Sequence, residues 1–567
     1  MIGLNKIGLN QVQLNQLYLN TLCACQKSSG GDGFPRLPGD VTRWSFKGLT
    51  NEQMSKNPRL EDADHKGRFL TFKNFAWIGM SGVDGYKFNF LANEWVINDN
   101  QVSKKYSYKI VINNKQNSVQ LYNRINLGHI KITLKITGIE INKSTFRVYD
   151  NVGTEYKQDY TKDGIYEIDY TANEGANIIY FYVFGGNMGQ LENPITIEQL
   201  PLYPGFILGD GVDDFAVTEK ELNFEDTYTV YTAFIPFQNN PTRNMILCGA
   251  DSKKTFSMQY SSLVYVSFIA GNNYYINADF VNGLNLFACK RNGNNICIKN
   301  LLTNKVVTGT CGDWVENAGL YYLWKNATYT SFARAAIAGQ TICNGYYSTD
   351  EDDEKVLNWY KKQYPWLFPD QAWTVTGKSN EDTNRNTIAN ITGNGNDLIL
   401  SNFGFAEGSG YNEEGEYAGY LVTDGVDDKI YSSAFTLGKK FTVVGENKIL
   451  SNTYANAGLV KVSSFFVFPN SIGVTCYINR QSKGLAIPSK QLKSICSDGR
   501  IYYDDWADAI DVGGNMESNN PTPLFLGYQN NEFTRFAFKN LAIYNNKTLS
   551  KEDAIKAYIY LQTLKAK

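Results

Sequence analysis

At 567 residues the chain exceeds what one hydrophobic core organises, so several domains are expected. A net charge of −2 at pH 7 lacks the basic excess that neutralises phosphates or holds a chain on an anionic bilayer, so nucleic acid and membrane are excluded as expected partners. With 38 Tyr, 32 Phe and 49 Gly against 19% charged residues the composition favours strands and turns, and two widely separated histidines, His65 and His129, offer neither a zinc centre nor a Ser-His-Asp triad.

The chain opens on four blocks of five residues, MIGLN, KIGLN, QVQLN and QLYLN, each ending Leu-Asn. Alternation inside a block suits a strand, and the recurring Asn suits a turn or a ladder of stacked amides, with a disordered low-complexity leader as the other reading. Residues 28–38, with Ser28-Ser29-Gly30-Gly31, Pro35 and Pro38, read as a linker, so residues 1–40 are expected to be an anchor repeat plus linker. Leu22-Cys23-Ala24-Cys25 loosely matches a lipoprotein cleavage box, but the segment before it has an Asn every fifth residue and no unbroken apolar core, which argues against export. No run approaches the roughly 18–20 apolar residues of a spanning helix. The nine cysteines follow no framework, and several, such as Cys248 and Cys289, end short apolar runs; they are expected to be reduced.

Residues 41–96 form a lead-in whose Trp44-Ser45-Phe46-Lys47-Gly48-Leu49-Thr50-Asn51-Glu52 aligns with Trp373-Thr374-Val375-Thr376-Gly377-Lys378-Ser379-Asn380-Glu381 of a second lead-in, 369–414. Gly67, Leu70, Asn74-Phe75 and Ser81-Gly82 then align with Gly395, Leu398, Asn402-Phe403 and Ser409-Gly410. The pentapeptide described below recurs at a smaller displacement than these lead-ins, 214 positions against 328, so the first unit carries about 114 extra residues, placed at roughly 97–203, the size of one domain. Their period-two runs, among them His129 to Ile136, Thr145 to Tyr149 and Ile178 to Phe184, predict an inserted antiparallel β-sandwich, similar in size and rhythm to carbohydrate-binding jelly rolls.

Residues 204–368 and 415–567 each open on the same pentapeptide, Asp210-Gly211-Val212-Asp213-Asp214 and Asp424-Gly425-Val426-Asp427-Asp428. Strands follow, Tyr228 to Phe234 and Phe441 to Val444, and each module closes on one helix capped at Thr349 with Asp352 or at Ser550 with Asp553. This order resembles the laminin G-like branch of the concanavalin A-like superfamily, and Leu541 to Asn546 with Leu549 to Asp553 is similar to its closing signature. The resemblance implies tandem concanavalin A-like jelly rolls, so the fold class is all-β.

The paired acids invite a calcium reading. Two adjacent carboxylates supply few of the six to eight oxygens calcium needs, and neighbouring strand residues face opposite ways, so Asp210, Gly211, Asp213, Asp214, Asp424, Gly425, Asp427 and Asp428 are read as structural turns. Glycoside hydrolases of this fold need two carboxylates across a sugar, commonly as Glu-x-Asp-x-x-Glu. No such run occurs, and the acids at Asp350 to Glu354 are assigned to a solvated helix cap, so no catalysis and no cofactor are expected. Tyrosine faces suit sugar CH groups, which makes Tyr260, Tyr274, Tyr275, Tyr321 and Tyr322 the candidate glycan contacts.

Lys73-Asn74-Phe75-Ala76-Trp77-Ile78-Gly79-Met80-Ser81-Gly82 and the Ile391 to Phe403 stretch resemble segments of virion proteins of crAss-like phages of gut Bacteroidota, which join such lead-ins to laminin G-like modules. The resemblance implies a virion structural protein, a head fibre assembled in the bacterial cytoplasm. It would dock on other virion proteins through residues 1–40, self-associate as a dimer or trimer, and adhere outward to bacterial or mucosal glycans. A tail fibre or a host surface glycan-binding lipoprotein acylated at Cys25 is the alternative.

Overall fold

A computed structural model describes residues 33–566 apart from internal stretches, chiefly 113–117, 124–128, 153–156, 186–190, 238–243, 250–255, 326–331, 451–459, 486–490 and 512–520. The Leu-Asn blocks and the Cys23-Ala24-Cys25 box lie outside the described residues. The described chain is all-β, with every strand pairing antiparallel.

Two modules share one topology. In the first, an eight-stranded sheet is centred on Thr227–Pro236, Arg334–Asn344 and Asn285–Asn292; in the second, on Phe441–Ile449, Phe536–Asn545 and Gln491–Cys496. A second eight-stranded sheet completes each sandwich, and apolar residues from both sheets fill it, around Trp44 and Trp324 in the first and Trp373 and Phe441 in the second. This is the jelly-roll sandwich that the two Asp-Gly-Val-Asp-Asp segments predicted.

The lead-ins are not separate braces. Asp40–Ser45 pairs along Arg334–Asn344, and Phe69–Lys73 pairs with Phe215–Thr218, so the strands within residues 40–83 belong to the first jelly roll. Gln371–Thr374 and Leu398–Ser401 occupy the equivalent places in the second. The boundaries drawn at 96 and 414 from sequence are corrected accordingly: a lead-in whose edge strands need a ladder finds it in the module that follows. The aligned residues make matching bonds, because Asn51 Oδ1 accepts from Val83 N at 2.7 Å and Asn380 Oδ1 from Tyr411 N at 2.8 Å. Gly82 and Gly410 sit where a Cβ would strike those same asparagine oxygens.

The extra domain is spliced into one hairpin. Gly410–Asn412 and Tyr420–Val422 pair across a short loop in the second module, whereas their counterparts Gly82–Val83 and Ile207–Asp210 enclose the whole insert. The chain leaving and returning is tied at the splice, where Asp84 Oδ1 accepts from Gly205 N (2.7 Å) and Asp84 O from Tyr203 N (2.8 Å). Two five-stranded antiparallel sheets form the insert around Ile130, Leu134, Phe146, Phe181 and Val183, as the period-two runs predicted.

Both closing helices, Asp350–Gln363 and Lys551–Thr563, begin at the predicted caps. Of the acids from Asp350 to Glu354, three are exposed as the sequence suggested and two are not. Asp352 and Asp353 are buried, and Asp353 pairs with Lys290 at 2.7 Å and Lys299 at 3.2 Å while accepting from Tyr231 Oη at 2.9 Å. The helix lies on the sheet, so its first turn meets lysines whose positions the local sequence does not reveal. Cys289, Cys297, Cys311, Cys343 and Cys496 are free and buried, and burial pushes the Cys343 thiol up to about 12.

Candidate functional site

The two Asp-Gly-Val-Asp-Asp segments are tight turns with nearly superimposable bonding. Asp210 Oδ1 accepts from Val212 N (2.7 Å), and Asp214 Oδ2 from Asp210 N (3.0 Å). In the second copy Asp424 Oδ1 accepts from Val426 N (2.7 Å) and Asp428 Oδ2 from Asp424 N (2.7 Å). The lead-in asparagines close each turn from outside, Asn74 Nδ2 donating to Asp213 O and Asn402 Nδ2 to Asp427 O, both at 3.1 Å. Gly211 and Gly425 hold φ of 80° and 77°, a left-handed conformation suited to glycine. Desolvation pushes the Asp214 carboxyl up to about 7 and Asp428 up to about 6. Carboxylate oxygens of Asp210, Asp213 and Asp214, and of Asp424, Asp427 and Asp428, come within 4.8 Å of one another. The bonds accepted by Asp210, Asp214, Asp424 and Asp428 close these turns.

Of the tyrosines singled out from sequence, two do not reach the surface. Tyr260 and Tyr321 are fully buried, Tyr260 Oη donating to Arg334 O at 2.7 Å and Tyr321 lying against Trp44 with ring centroids 6.4 Å apart, so neither can meet a glycan. Their strands turn the tyrosine positions inward. Tyr322, half-buried on the opposite face, leans on Phe215 at 6.5 Å. Tyr274 and Tyr275 lie on the Asn272–Ala278 strand, and their side chains are outside what is described.

An aromatic surface does form, on the insert. The strands Ser118–Asn123, Thr145–Asp150 and Ile179–Phe184 are neighbours, and each buries alternate residues, such as Val119, Leu121, Phe146, Val148, Phe181 and Val183. The intervening positions face out. Tyr122, Tyr180 and Tyr149 share one row across the three strands; Gln120, Tyr182 and Arg147 share the next; Ser118, Phe184 and Thr145 share the third. Rings interlock along and across the rows: Tyr149 and Tyr180 stack at 4.7 Å with planes 15° apart, and Tyr182 and Phe184 at 4.9 Å and 15°. Tyr122 lies 5.6 Å from Tyr180, and Tyr149 lies 6.0 Å from Tyr182.

Polar groups are set into this face. Gln120 Nε2 donates to Tyr149 Oη at 2.9 Å. Arg147 grips Asp159, on the adjoining strand Gln158–Tyr160, with two parallel bonds of 2.5 and 2.7 Å, and its guanidinium lies 4.5 Å from the Phe184 ring centroid. The hydrogen bonds to Asp159 raise the Arg147 pKa further, so the guanidinium stays charged at all working pH. All five rings are half-buried, held by neighbours yet open to solvent. Such an array offers CH-binding ring surface beside hydroxyl, amide and guanidinium groups.

The opposite face of the insert is built otherwise. Lys131 on His129–Thr137 and Glu167 on Gly164–Thr171 pair at 2.5 Å and reach into the second jelly roll, Lys131 to Glu446 (3.2 Å) and Glu167 to Lys493 (3.3 Å). Tyr558 of the closing helix donates to Glu167, and Tyr420 to Glu446. The side chains of Glu446 and Lys493 are each 1% exposed.

The sequence signal for the aromatic face was present in Ile179-Tyr180-Phe181-Tyr182-Val183-Phe184, a strand apolar on both sides. One side fills the sandwich, so the other must be exposed or covered by something else.

No protein-family model matches the chain, and no curated protein matches it. Among solved structures, an HCR/D alanine mutant aligns at 9% identity over 61% of this chain and 89% of its own, with a TM-score of 0.28. A botulinum neurotoxin type C structure, described as interacting with two ganglioside molecules, aligns at 10% identity over 59% and 86%, with a TM-score of 0.26. The VIP36 exoplasmic/lumenal domain in its Ca2+/Man2-bound form aligns at 9% identity over 27% and 86%, with a TM-score of 0.20.

Proposed function

We propose that this chain is a glycan-binding protein whose contact surface is the outer face of the inserted sandwich. The observation that carries the reading is the solvent-open array of Tyr122, Tyr149, Tyr180, Tyr182 and Phe184 with Gln120 and Arg147 set among the rings. An apolar patch of this kind on a sheet whose core is already filled has a use outside the fold. The array suits binding: its one carboxylate is tied to Arg147, which leaves no pair of free acids for glycosidic cleavage among the described groups of this face.

The setting we propose is a virion, with the chain as a head fibre. Support for this comes from the resemblance of the lead-ins to segments of crAss-like phage proteins. Residues 1–40 then attach to other virion proteins, the chain self-associates, and the insert and jelly rolls face outward.

Two experiments test these readings. On an array of bacterial and mucin glycans the full chain binds, and Tyr182→Ala weakens that binding at least tenfold, about 1.4 kcal/mol; silence across the array, or binding untouched by Tyr182→Ala, overturns the glycan reading. Immunogold electron microscopy of phage particles places the label on the head; gold on bacterial envelopes instead overturns the virion setting.

A further inference from the structure

We infer that the ligand of the aromatic face is an uncharged polysaccharide chain that lies extended along the Ile179–Phe184 strand. The inference rests on the glycan reading above and adds the class of glycan. Three rings, Tyr180, Tyr182 and Phe184, occupy alternate positions of a single strand. With a rise of about 3.3 Å per residue they cover about 13 Å, a stripe longer than one pyranose ring. The rows widen it, with Tyr122 and Tyr149 flanking Tyr180. A stripe without walls suits the side of a chain, because a terminal sugar or a small ligand is held by a concave pocket that buries most of its surface.

Charge decides the class. The ionisable side chains that face outward from the three central strands and their Gln158–Tyr160 neighbour are Arg147, Asp159 and the tyrosines. Arg147 and Asp159 satisfy each other through a two-pronged bond, and the guanidinium is further held over Phe184. An acidic sugar would have to displace Asp159 from the fork and would meet that carboxylate as a like charge. A neutral chain meets no such barrier: its CH groups take the rings, and its hydroxyls take the tyrosine hydroxyls and Gln120. Specificity of this kind comes as much from what the Asp159 carboxylate turns away as from what the rings attract.

Native gels cast with hydroxyethylcellulose, galactomannan or a mixed-linkage β-glucan, and with alginate, hyaluronan or polygalacturonate, separate the outcomes. The full chain is expected to be retarded by at least one neutral polymer, equally at low and high salt, and to run freely through the acidic ones. Asp159→Asn frees the Arg147 charge and is expected to introduce salt-sensitive retardation by the acidic polymers. Retardation of the wild type by an acidic polymer alone, abolished in Tyr182→Ala, overturns the neutral-ligand inference while the glycan reading stands. No retardation in any gel, or retardation that Tyr182→Ala leaves unchanged, sinks both.

Discussion

The two outer faces of the inserted sandwich are made by the same strand geometry and put to opposite uses. On one, Lys131 and Glu167 meet Glu446, Lys493, Tyr558 and Tyr420 and are sealed against the second jelly roll. On the other, five aromatic rings stay half-open to solvent. A folding domain ordinarily hides rings and exposes charge. Here charge is hidden because its partners arrive from another module, and rings are shown because nothing in the described chain covers them. The inversion separates a face that fixes the domain's orientation from one that is free to act.

The charged face should carry the larger stability effect. Lys131 bridges Glu167, Asp169 and Glu446, and it stays charged because their attraction outweighs the burial that would otherwise lower its pKa. Lys131→Met leaves Glu167 and Glu446 buried with one cation fewer. Breaking a buried pair from one side costs about 3–5 kcal/mol, so the insert is expected to come away from the second jelly roll. Limited proteolysis should then cut at the splice near Asp84 and Gly205, and the melting transition should split. Wild-type proteolysis and melting in Lys131→Met would mean that the charges are incidental to docking.

Acid probes the same face through Glu167, with a smaller effect. Burial pushes the Glu167 carboxyl up, but the Lys493 and Lys131 charges outweigh it and hold it well below the ordinary carboxylate range. A depressed carboxylate contributes stability that is complete above its unfolded value, about 4.3, and is lost as pH falls through its lower folded value. The interface is therefore expected to stay closed from pH 8 down to about 5 and to loosen in stronger acid. Small-angle scattering against pH reads this directly, and an interface that opens between pH 7 and 5 would show that Glu167 is not held by those lysines.

How much of this was legible in the sequence follows from the distance over which each feature is written. The repeats Asn51/Asn380, Gly82/Gly410 and the two Asp-Gly-Val-Asp-Asp turns are local, and a matched pair of local signals gave the tandem architecture; the same topology then appears in both modules. Strand alternation foretold the insert as a sandwich. It could not say which side of Tyr260 or Tyr321 faced the core, since a strand in a two-sheet core carries aromatic residues inward as readily as outward. The charge cluster was beyond reach. Lys131 and Glu446 are far apart in the chain and meet only because the insert folds back onto the second module.

The smallest stability effect belongs to the aromatic face, and its smallness is the point. Tyr180 pairs with Tyr122 and Tyr149 across the sheet, so Tyr180→Ala removes cross-strand contacts worth about 0.2–1 kcal/mol each and opens no cavity in the core, which Ile179 and Phe181 continue to fill. The melting temperature should move by a few degrees at most, far less than for Lys131→Met. Binding should fall tenfold or more. A ring kept for packing loses stability when truncated and leaves recognition alone; a ring kept for a ligand does the reverse. Calorimetric melting of Tyr180→Ala beside its polysaccharide binding therefore distinguishes the two, and a loss of stability as large as that of Lys131→Met would assign the rings to the fold.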